Sequence, residues 1–374
     1  MAKGLEDTAA YRYNSLLSLN EVGGDPLRER PPLDLDEFHE FNRHRLEEWP
    51  DTMNATGTHD TKRGEDVRAR LNVLTEMPDE WARRLDLWMG WNAAQKSSVD
   101  GVSAPDTDEE IMIYQTLLGV WPNHSEEQGG VAGRVKEFLT KALREAKNHS
   151  SWIAPNDAYE AAAHQFVDHI LADDSPFRDD FVEFQSVLAK YGARNSLSQL
   201  VLKIASPGVP DFYQGSELWQ LTLVDPDNRR PVDYAIRRNM LETLRRREAE
   251  DRIALVRELA AEPLRDEMKL FVTYRALEFR RTNRDLFARG EYIPLRTSGA
   301  CATHVCAFAR HLGDRWAVVV APRCLSKVAD WGDTRVELPE GAPDEWHDAL
   351  TGLIPAGWRV AELLAEFPVA LLGA

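Results

Sequence analysis

The sequence predicts an α/β fold followed by an all-β appendage, and three observations support this prediction. The run TMNATGTHD, residues 52–60, is typical of a short strand that enters a loop before a helix. Between residues 79 and 192, apolar side chains recur at helical spacing, which predicts a mostly helical segment. After about Gly290 the pattern changes to short β-rich runs separated by glycine, aspartate and proline.

The composition is typical of a globular protein and narrows the range of functions. The 374 residues are 43% apolar, enough for one large core or two to three smaller ones. Lys and Arg total 45 against 62 Asp and Glu, a net charge of -17, so we expect neither nucleic acid nor a membrane as partner. No apolar run approaches the roughly 20 residues of a membrane span. The N-terminus lacks a signal-peptide core, and we therefore expect a cytoplasmic protein.

The chain divides into four predicted segments. Residues 1–78 form a segment that carries the His-Asp pair of the TMNATGTHD run, and residues 79–192 form a helical insertion. Residues 193–288 return to a strand followed by charged helices. Residues 289–374 form a C-terminal β domain, which ends in a short helix and a last strand.

Within these segments the pattern predicts particular elements. Leu200–Ile204 is predicted as a short apolar strand, because a Ser-Pro-Gly turn follows it. The polar stretches Ser97–Asp108 and Pro122–Gly133 are predicted as loops, since glycine and proline punctuate them. Arg237–Ala261 and Lys269–Thr282 are predicted as helices.

The His-Asp pair, His59 and Asp60, is the main candidate site. Asp60 would project from a strand end into a loop, the position that forms the active face of a parallel barrel. His59 could donate hydrogen bonds to sugar hydroxyls, and Lys62 and Arg63 would add donors and positive charge that favours an ionised Asp60. Glycoside chemistry needs two carboxylates, so Asp60 could stabilise a cationic transition state but not perform the reaction alone. The alternative, favoured by spacing alone, is that Asp60 or a neighbouring threonine only caps the next helix.

A second candidate follows in the run SPGVPDFYQGSELW, residues 206–219. Its prolines and glycines predict a tight turn after an apolar run, with Tyr213 and Gln214 exposed on it. An aromatic side chain there could stack on a sugar ring. The alternative is a rigid turn with a buried tyrosine.

No metal or other cofactor is expected. Cys301, His304, Cys306 and His311 crowd together, but their spacing matches no common zinc signature. Strand alternation would place Cys301 and Cys306 on opposite faces. Three cysteines also argue against a disulfide framework.

Five strings together give the chain a family resemblance. It resembles the C-terminal half of the maltooligosyltrehalose synthases, a family of the α-amylase clan, over essentially all of its length. THDTKR and YQGSELW are similar to the wider clan, whereas KGLEDT, SSWIAPN and VDPDNRRPVDY are typical of the synthases. The strings are AKGLEDTAAYRYNSLLSLNEVGGDP, TGTHDTKRGEDVRARLNVL, KALREAKNHSSWIAPNDAYE, SPGVPDFYQGSELWQLTLVDPDNRRPVDY, and the ending DALTG with FPVALL.

The resemblance implies the C-terminal part of a TIM (β/α)8 barrel with a large helical insertion and a C-terminal β-sandwich domain. It implies an isomerase of trehalose biosynthesis that acts on a maltooligosaccharide. The reducing-end α-1,4 bond is converted to an α,α-1,1 bond by retaining, intramolecular transglucosylation. Asp60 matches the third catalytic carboxylate of the clan, His59 its hydroxyl-binding neighbour, and Lys3 a substrate-binding lysine of the KGLEDT motif.

The family's nucleophilic aspartate and acid/base glutamate belong to earlier barrel strands, whose motifs are absent here. We therefore expect this chain to be inactive alone and to hold only the last two barrel strands. The alternative is a non-catalytic, glucan-binding or complementing half that docks with a separate N-terminal half. A hydrolase fragment of the same clan is disfavoured, because KGLEDT and SSWIAPN are typical of the synthases.

Overall fold

The computed structural model describes residues 2–24 and 34–374 of the chain. The run ERPPL before the second helix, residues 29–33, whose prolines are typical of a loop, lies outside the described residues. The helices are α1 Ala2–Arg12, α2 Leu35–Glu48, α3 Glu65–Asn72, α4 Pro78–Asn92, α5 Thr107–Val120, α6 Val131–Ala146, α7 Asp157–Ile170, α8 Pro176–Ala205, α9 Tyr234–Ala261, α10 Asp266–Thr282, α11 Arg284–Arg289 and α12 Val360–Leu363. The strands are β1 Met53–Ala55, β2 Ser97–Val99, β3 Val102–Ala104, β4 Val209–Asp211, β5 Glu291–Pro294, β6 Thr297–Ser298, β7 Val305–Leu312, β8 Arg315–Pro322, β9 Arg335–Val336, β10 His347–Asp348 and β11 Ala370–Gly373.

The described residues form two compact units, each built from three separate stretches of chain. The stretches of unit 1 are 2–24, Gly57–Gly192 and Gln220–Arg230, and those of unit 2 are 34–56, Ala193–Trp219 and Pro231–Ala374. Each of the four segments predicted from the sequence is one continuous stretch of chain, whereas each compact unit combines three separate stretches. The segment boundaries therefore stay a prediction.

Unit 1 is helical and has an aromatic core. Trp88 lies at its centre, fully buried, with the rings of Tyr114 and Phe177 at centroid distances of 5.4 and 5.1 Å. The helices α4 to α7 and the first half of α8 supply this core, as the apolar periodicity between residues 79 and 192 predicts. The same core includes Tyr11 of α1 and so anchors the candidate site described below.

Unit 2 combines helices with two sheets that matter here. β1 and β4 form a two-stranded parallel sheet in which Met53 pairs with Val209. The appendage after residue 290 is a five-stranded antiparallel sheet in the order β10-β11-β8-β7-β5, which confirms the predicted β-rich C-terminal region. Helices with a small antiparallel sheet are thus the observed architecture.

Two local predictions are wrong. Leu200–Ile204 is the end of the 30-residue helix α8 rather than a strand, and the strand β4 begins only after the Pro207-Gly208 turn. The stretch predicted as a loop at Ser97–Asp108 contains a hairpin of β2 and β3, joined by Asp100 and Gly101, both with positive φ. A short apolar run before a turn fits a helix end as well as a strand, and the Asp100-Gly101 pair favours a hairpin where punctuation by glycine and proline suggests a loop.

The predicted loop at Pro122–Gly133 contains a 3-10 turn at Ser125–Gly130 and the start of α6. Within the described ranges, every helix is too short or too polar to cross a lipid bilayer.

Candidate functional site

The segment that carries His59 and Asp60 is a tight turn between β1 and α3. The backbone N–H of Thr58 donates to Thr61 Oγ1 at 2.6 Å, and the N–H of Thr61 donates to the Thr58 carbonyl at 3.3 Å. The N–H of Asp60 donates to Thr58 Oγ1 at 3.3 Å. The two threonines therefore stabilise the turn at whose tip the His-Asp pair lies.

The helix-cap alternative for Asp60 is wrong. Gly64 is the N-cap residue of α3, and no side chain caps that helix. The backbone of Gly64 lies too close to a neighbouring segment for a larger residue, since an added Cβ would lie 2.6 Å from the carbonyl oxygen of Gln220. The Gly64 N–H donates to the Thr222 carbonyl at 2.8 Å, so the residue joins the turn to residues 220–230.

Lys62 links Asp60 to the N-terminal helix. Its ammonium lies 2.6 Å from Asp7 Oδ1 and 3.7 Å from Asp60 Oδ1, and its side chain is only 4% exposed. The Lys62 N–H donates to the carboxylate of Glu21 at 2.8 Å. The contact with Asp60 is an ion pair, and because the ammonium is buried it favours the ionised form of the carboxylate. The Asp60 side chain is 25% exposed and reaches solvent.

Arg63 is buried beside Lys62. Its guanidinium lies over the ring of Phe138, 5.6 Å from the centroid, and burial lowers the pKa of Arg63 to about 10. The same burial raises the pKa of the neighbouring Tyr11 phenol, whose surrounding charges include Arg63 and Asp60. A direct contact between Arg63 and a sugar would require this packing to open, so substrate binding by Arg63 stays a prediction.

His59 is exposed at the tip of the turn, and residues 220–230 hold its backbone. Asn228 Nδ2 donates to the His59 carbonyl at 3.0 Å. Asp227, next in the chain, is buried and accepts two hydrogen bonds from Arg134 at 3.0 and 2.8 Å and one from the Leu223 N–H at 2.8 Å. Residues 220–230 thus hold the backbone of the His-Asp turn in place through Asn228.

The other three predicted substrate-binding residues, Lys3, Tyr213 and Gln214, belong to other segments of the chain. Tyr213 and Gln214 belong to unit 2, in the turn that follows β4, where Tyr213 is half-buried and Gln214 is exposed. Gly215 completes this turn with a φ of +84°. Lys3 is part of α1, and its side chain lies outside the described residues.

The cysteine and histidine residues of the C-terminal region bind separate partners. Cys301 Sγ donates to the Asp330 carbonyl at 3.4 Å, and Cys306 is buried in β7, where burial raises its pKa to about 12. His304 Nδ1 lies 3.0 Å from the Cys324 carbonyl. Cys301 precedes β7 and so does not alternate with Cys306 along one strand.

A different cluster has the side chains that a metal ion would need. Ligand atoms of Asp106, Glu109 and His149 lie within 4.8 Å of one another. Asp106 and Glu109 form the capping box of α5, and Tyr159 donates to Glu109 at 2.5 Å. Burial raises the pKa of Glu109, as expected for a carboxyl group in this cap. The helix cap accounts for this arrangement.

Sequence reasoning missed the groups that support the turn, namely Asp7, Glu21 and Asn228. Asp7 and Lys62 are 55 positions apart, and no local pattern in a single sequence indicates such a pairing. The ion pair between Asp7 and Lys62 thus connects helix α1 to the His-Asp turn.

Comparisons with known proteins agree with the resemblance seen in the sequence. The chain is 39% identical over 373 residues to a putative maltooligosyl trehalose synthase of Mycobacterium tuberculosis, covering 99% of this chain and 44% of the relative. The structure of maltooligosyltrehalose synthase from Arthrobacter ramosus matches with a TM-score of 0.83 and 36% identity, covering 100% of this chain and 45% of that one. A hypothetical maltooligosyl trehalose synthase of Sulfolobus tokodaii matches with a TM-score of 0.73 and 32% identity, covering 99% and 45%. No protein-family model matches.

Proposed function

Because this chain is a homologue of maltooligosyltrehalose synthases over 99% of its length and spans 44% of theirs, we propose that it forms the C-terminal half of such an enzyme. In this proposal the parallel pair β1 and β4 are the last two strands of a (β/α)8 barrel. Asp60 and Tyr213 each follow the carboxyl end of one of these strands, the end that bears active sites in such barrels. The appended sheet belongs to the family's C-terminal sandwich.

The proposed reaction is intramolecular transglucosylation. The reducing-end α-1,4 bond of a maltooligosaccharide is broken with retention, and the released glucose is rejoined through an α,α-1,1 bond. The nucleophile and the acid/base belong to the part of the enzyme that this chain does not span. Asp60 acts as the third carboxylate, which binds hydroxyls of the distorted ring and stabilises the oxocarbenium-like transition state.

The observation that carries this role is the position of Asp60 between solvent and a buried ammonium. The Lys62 ammonium lies 3.7 Å from Asp60 Oδ1 and is itself held by Asp7 at 2.6 Å. A negative group held in this way can face a developing positive charge without rearrangement during the reaction. His59, which is exposed next to Asp60, binds a hydroxyl of the same ring in this proposal.

The test compares the chain alone with a chimaera. In the chimaera, this chain replaces the matched 44% of the Mycobacterium tuberculosis relative. We expect trehalose end groups from maltopentaose with the chimaera and none with the chain alone, since covalent transfer needs the other two carboxylates. Turnover by the chain alone, or a folded chimaera without turnover, would contradict the proposal.

A further inference from the structure

An exposed aromatic residue stands out on the loop that joins α6 to α7. Trp152 is 53% exposed and its neighbour Ile153 is 97% exposed. Large apolar side chains this exposed leave favourable burial unused, and an adjacent pair is a common mark of a binding surface. Both belong to unit 1, as does Asp60.

The loop holds Trp152 in one orientation. The indole N–H donates to Glu145 Oε1 at 2.9 Å, and the guanidinium of Arg144 covers the ring, 5.1 Å from its centroid. Arg144 is itself fixed by two hydrogen bonds of 2.8 Å to Glu160. The ring is therefore oriented before any ligand arrives, which lowers the entropic cost of binding.

The rest of the loop is equally well fixed. Ser150 donates to Glu160 at 2.5 Å and accepts from the Asn156 N–H at 3.0 Å. The Ala154 N–H donates to Ser151 Oγ at 3.0 Å. The exposure of Trp152 is thus a feature of an ordered loop and not of a loose one.

Helix α1 connects this ring to the Asp60 cluster. Asp7 of this helix pairs with the Lys62 ammonium at 2.6 Å, and the same ammonium lies 3.7 Å from Asp60 Oδ1. Arg12 Nε donates to the Ala146 carbonyl at 2.7 Å, which joins α1 to the end of α6. The aromatic ring and the candidate carboxylate therefore border the same helix in unit 1.

We propose that Trp152 is a stacking platform for a glucosyl ring of the maltooligosaccharide, outside the reacting ring. This rests on the proposed function for the identity of the glucan. A pyranose has an apolar C–H face and a rim of hydroxyls. The face of the indole matches the first, and the Glu145 carboxylate and the Arg144 guanidinium beside the ring match the second. Ile153 extends the apolar surface.

The test measures binding of maltoheptaose to the chain alone by isothermal titration calorimetry, which does not depend on the tryptophan that the variants remove. We expect Trp152→Ala to weaken binding about tenfold, because it removes the apolar face that the sugar covers. Trp152→Phe keeps a ring and should stay within about threefold of the wild type. Trp49→Ala is the matched control, since Trp49 is 67% exposed in unit 2, and we expect no change.

Binding that is unaffected by Trp152→Ala, or no binding of maltoheptaose by the wild-type chain, would overturn the platform. In the chimaera, Trp152→Ala should raise the KM for maltoheptaose and leave kcat within about twofold, because the ring does not touch the reacting atoms. If the chimaera is inactive but maltoheptaose binding depends on Trp152, the proposed transglucosylation is contradicted and the stacking role of Trp152 is supported. Normal turnover with an unchanged KM would count against the platform alone.

Discussion

At the scale of single residues, Asp60 and Lys62 have opposite environments that define their roles. The Asp60 carboxylate reaches solvent, while the Lys62 ammonium is buried and paired with Asp7 at 2.6 Å. A buried charge needs its partner far more than an exposed one does. Lys62 is therefore better suited to support Asp60 than to contact a sugar, and its predicted substrate-binding role remains to be tested.

The variant Asp60→Asn separates a catalytic role from a structural one. We expect turnover of the chimaera to fall by more than a hundredfold, because the amide cannot oppose the positive charge of the transition state. The Tm of the chain alone should change little, since Asp60 caps no helix and Asp7 still pairs with Lys62. The rate of formation of trehalose end groups measures turnover, and thermal unfolding measures stability.

The matched control is Asp106→Ala. Asp106 accepts from the Glu109 N–H at 2.8 Å as the true N-cap of α5. Its loss should cost about 0.5–2 kcal/mol of stability and leave chimaera turnover unchanged. A loss of stability in Asp60→Asn as large as that in Asp106→Ala, with turnover intact, would contradict the proposed role of Asp60.

The residues of the candidate site show which of its features a single sequence can indicate. The His-Asp pair could be singled out because a strand, a turn and a helix start are local patterns. Its supports could not be found, because Asn228 meets His59 across 169 positions of the chain. Long-range contacts of this kind leave no periodic signal in one sequence.

At the scale of elements, the join between the His-Asp turn and residues 220–230 depends on Gly64. We expect Gly64→Ala to destabilise the chain by about 1–3 kcal/mol, since the new Cβ would lie 2.6 Å from a backbone carbonyl that cannot move freely. Gly133→Ala in α6 is the control, because its Cβ would enter open space and alanine favours a helix. Urea unfolding measures both, and equal effects would show that Gly64 does not join these segments closely.

The same scale explains which elements the sequence predicts. Long amphipathic helices were found, and the predicted Arg237–Ala261 and Lys269–Thr282 correspond to α9 and α10 with starts only three residues late. The prediction of a strand at Leu200–Ile204 is wrong because a run of five residues, four of them apolar, fits a strand and a helix end equally well. The β2–β3 hairpin has a usable signal, the Asp100-Gly101 pair between Val99 and Val102, since an Asp-Gly pair favours a two-residue turn.

At the scale of the whole molecule, the C-terminal sheet is buried on both faces. Phe308, Val319 and Leu371 on one face join a core formed with helices α8 to α11. Val318 and Leu372 on the other face pack within the C-terminal region itself. The predicted segment 289–374 therefore keeps only one of its two cores when it is separated from the helices.

We expect the isolated fragment 289–374 not to fold cooperatively. It would expose the face that bears Phe308, and Arg310 would lose the carbonyls of Ala205 and Phe287, to which its buried guanidinium donates at 3.2 and 3.1 Å. Arg310 keeps the carbonyls of Gly290 and Glu291, which belong to the fragment, so the main loss is the apolar burial against helices α8 to α11. A domain this small has little stability to spare when it loses one of two cores. Circular dichroism during heating measures cooperativity, with the full chain as the control. A sharp unfolding transition of the fragment would show instead that the sheet is an independent domain, because its remaining core would then suffice without the helices.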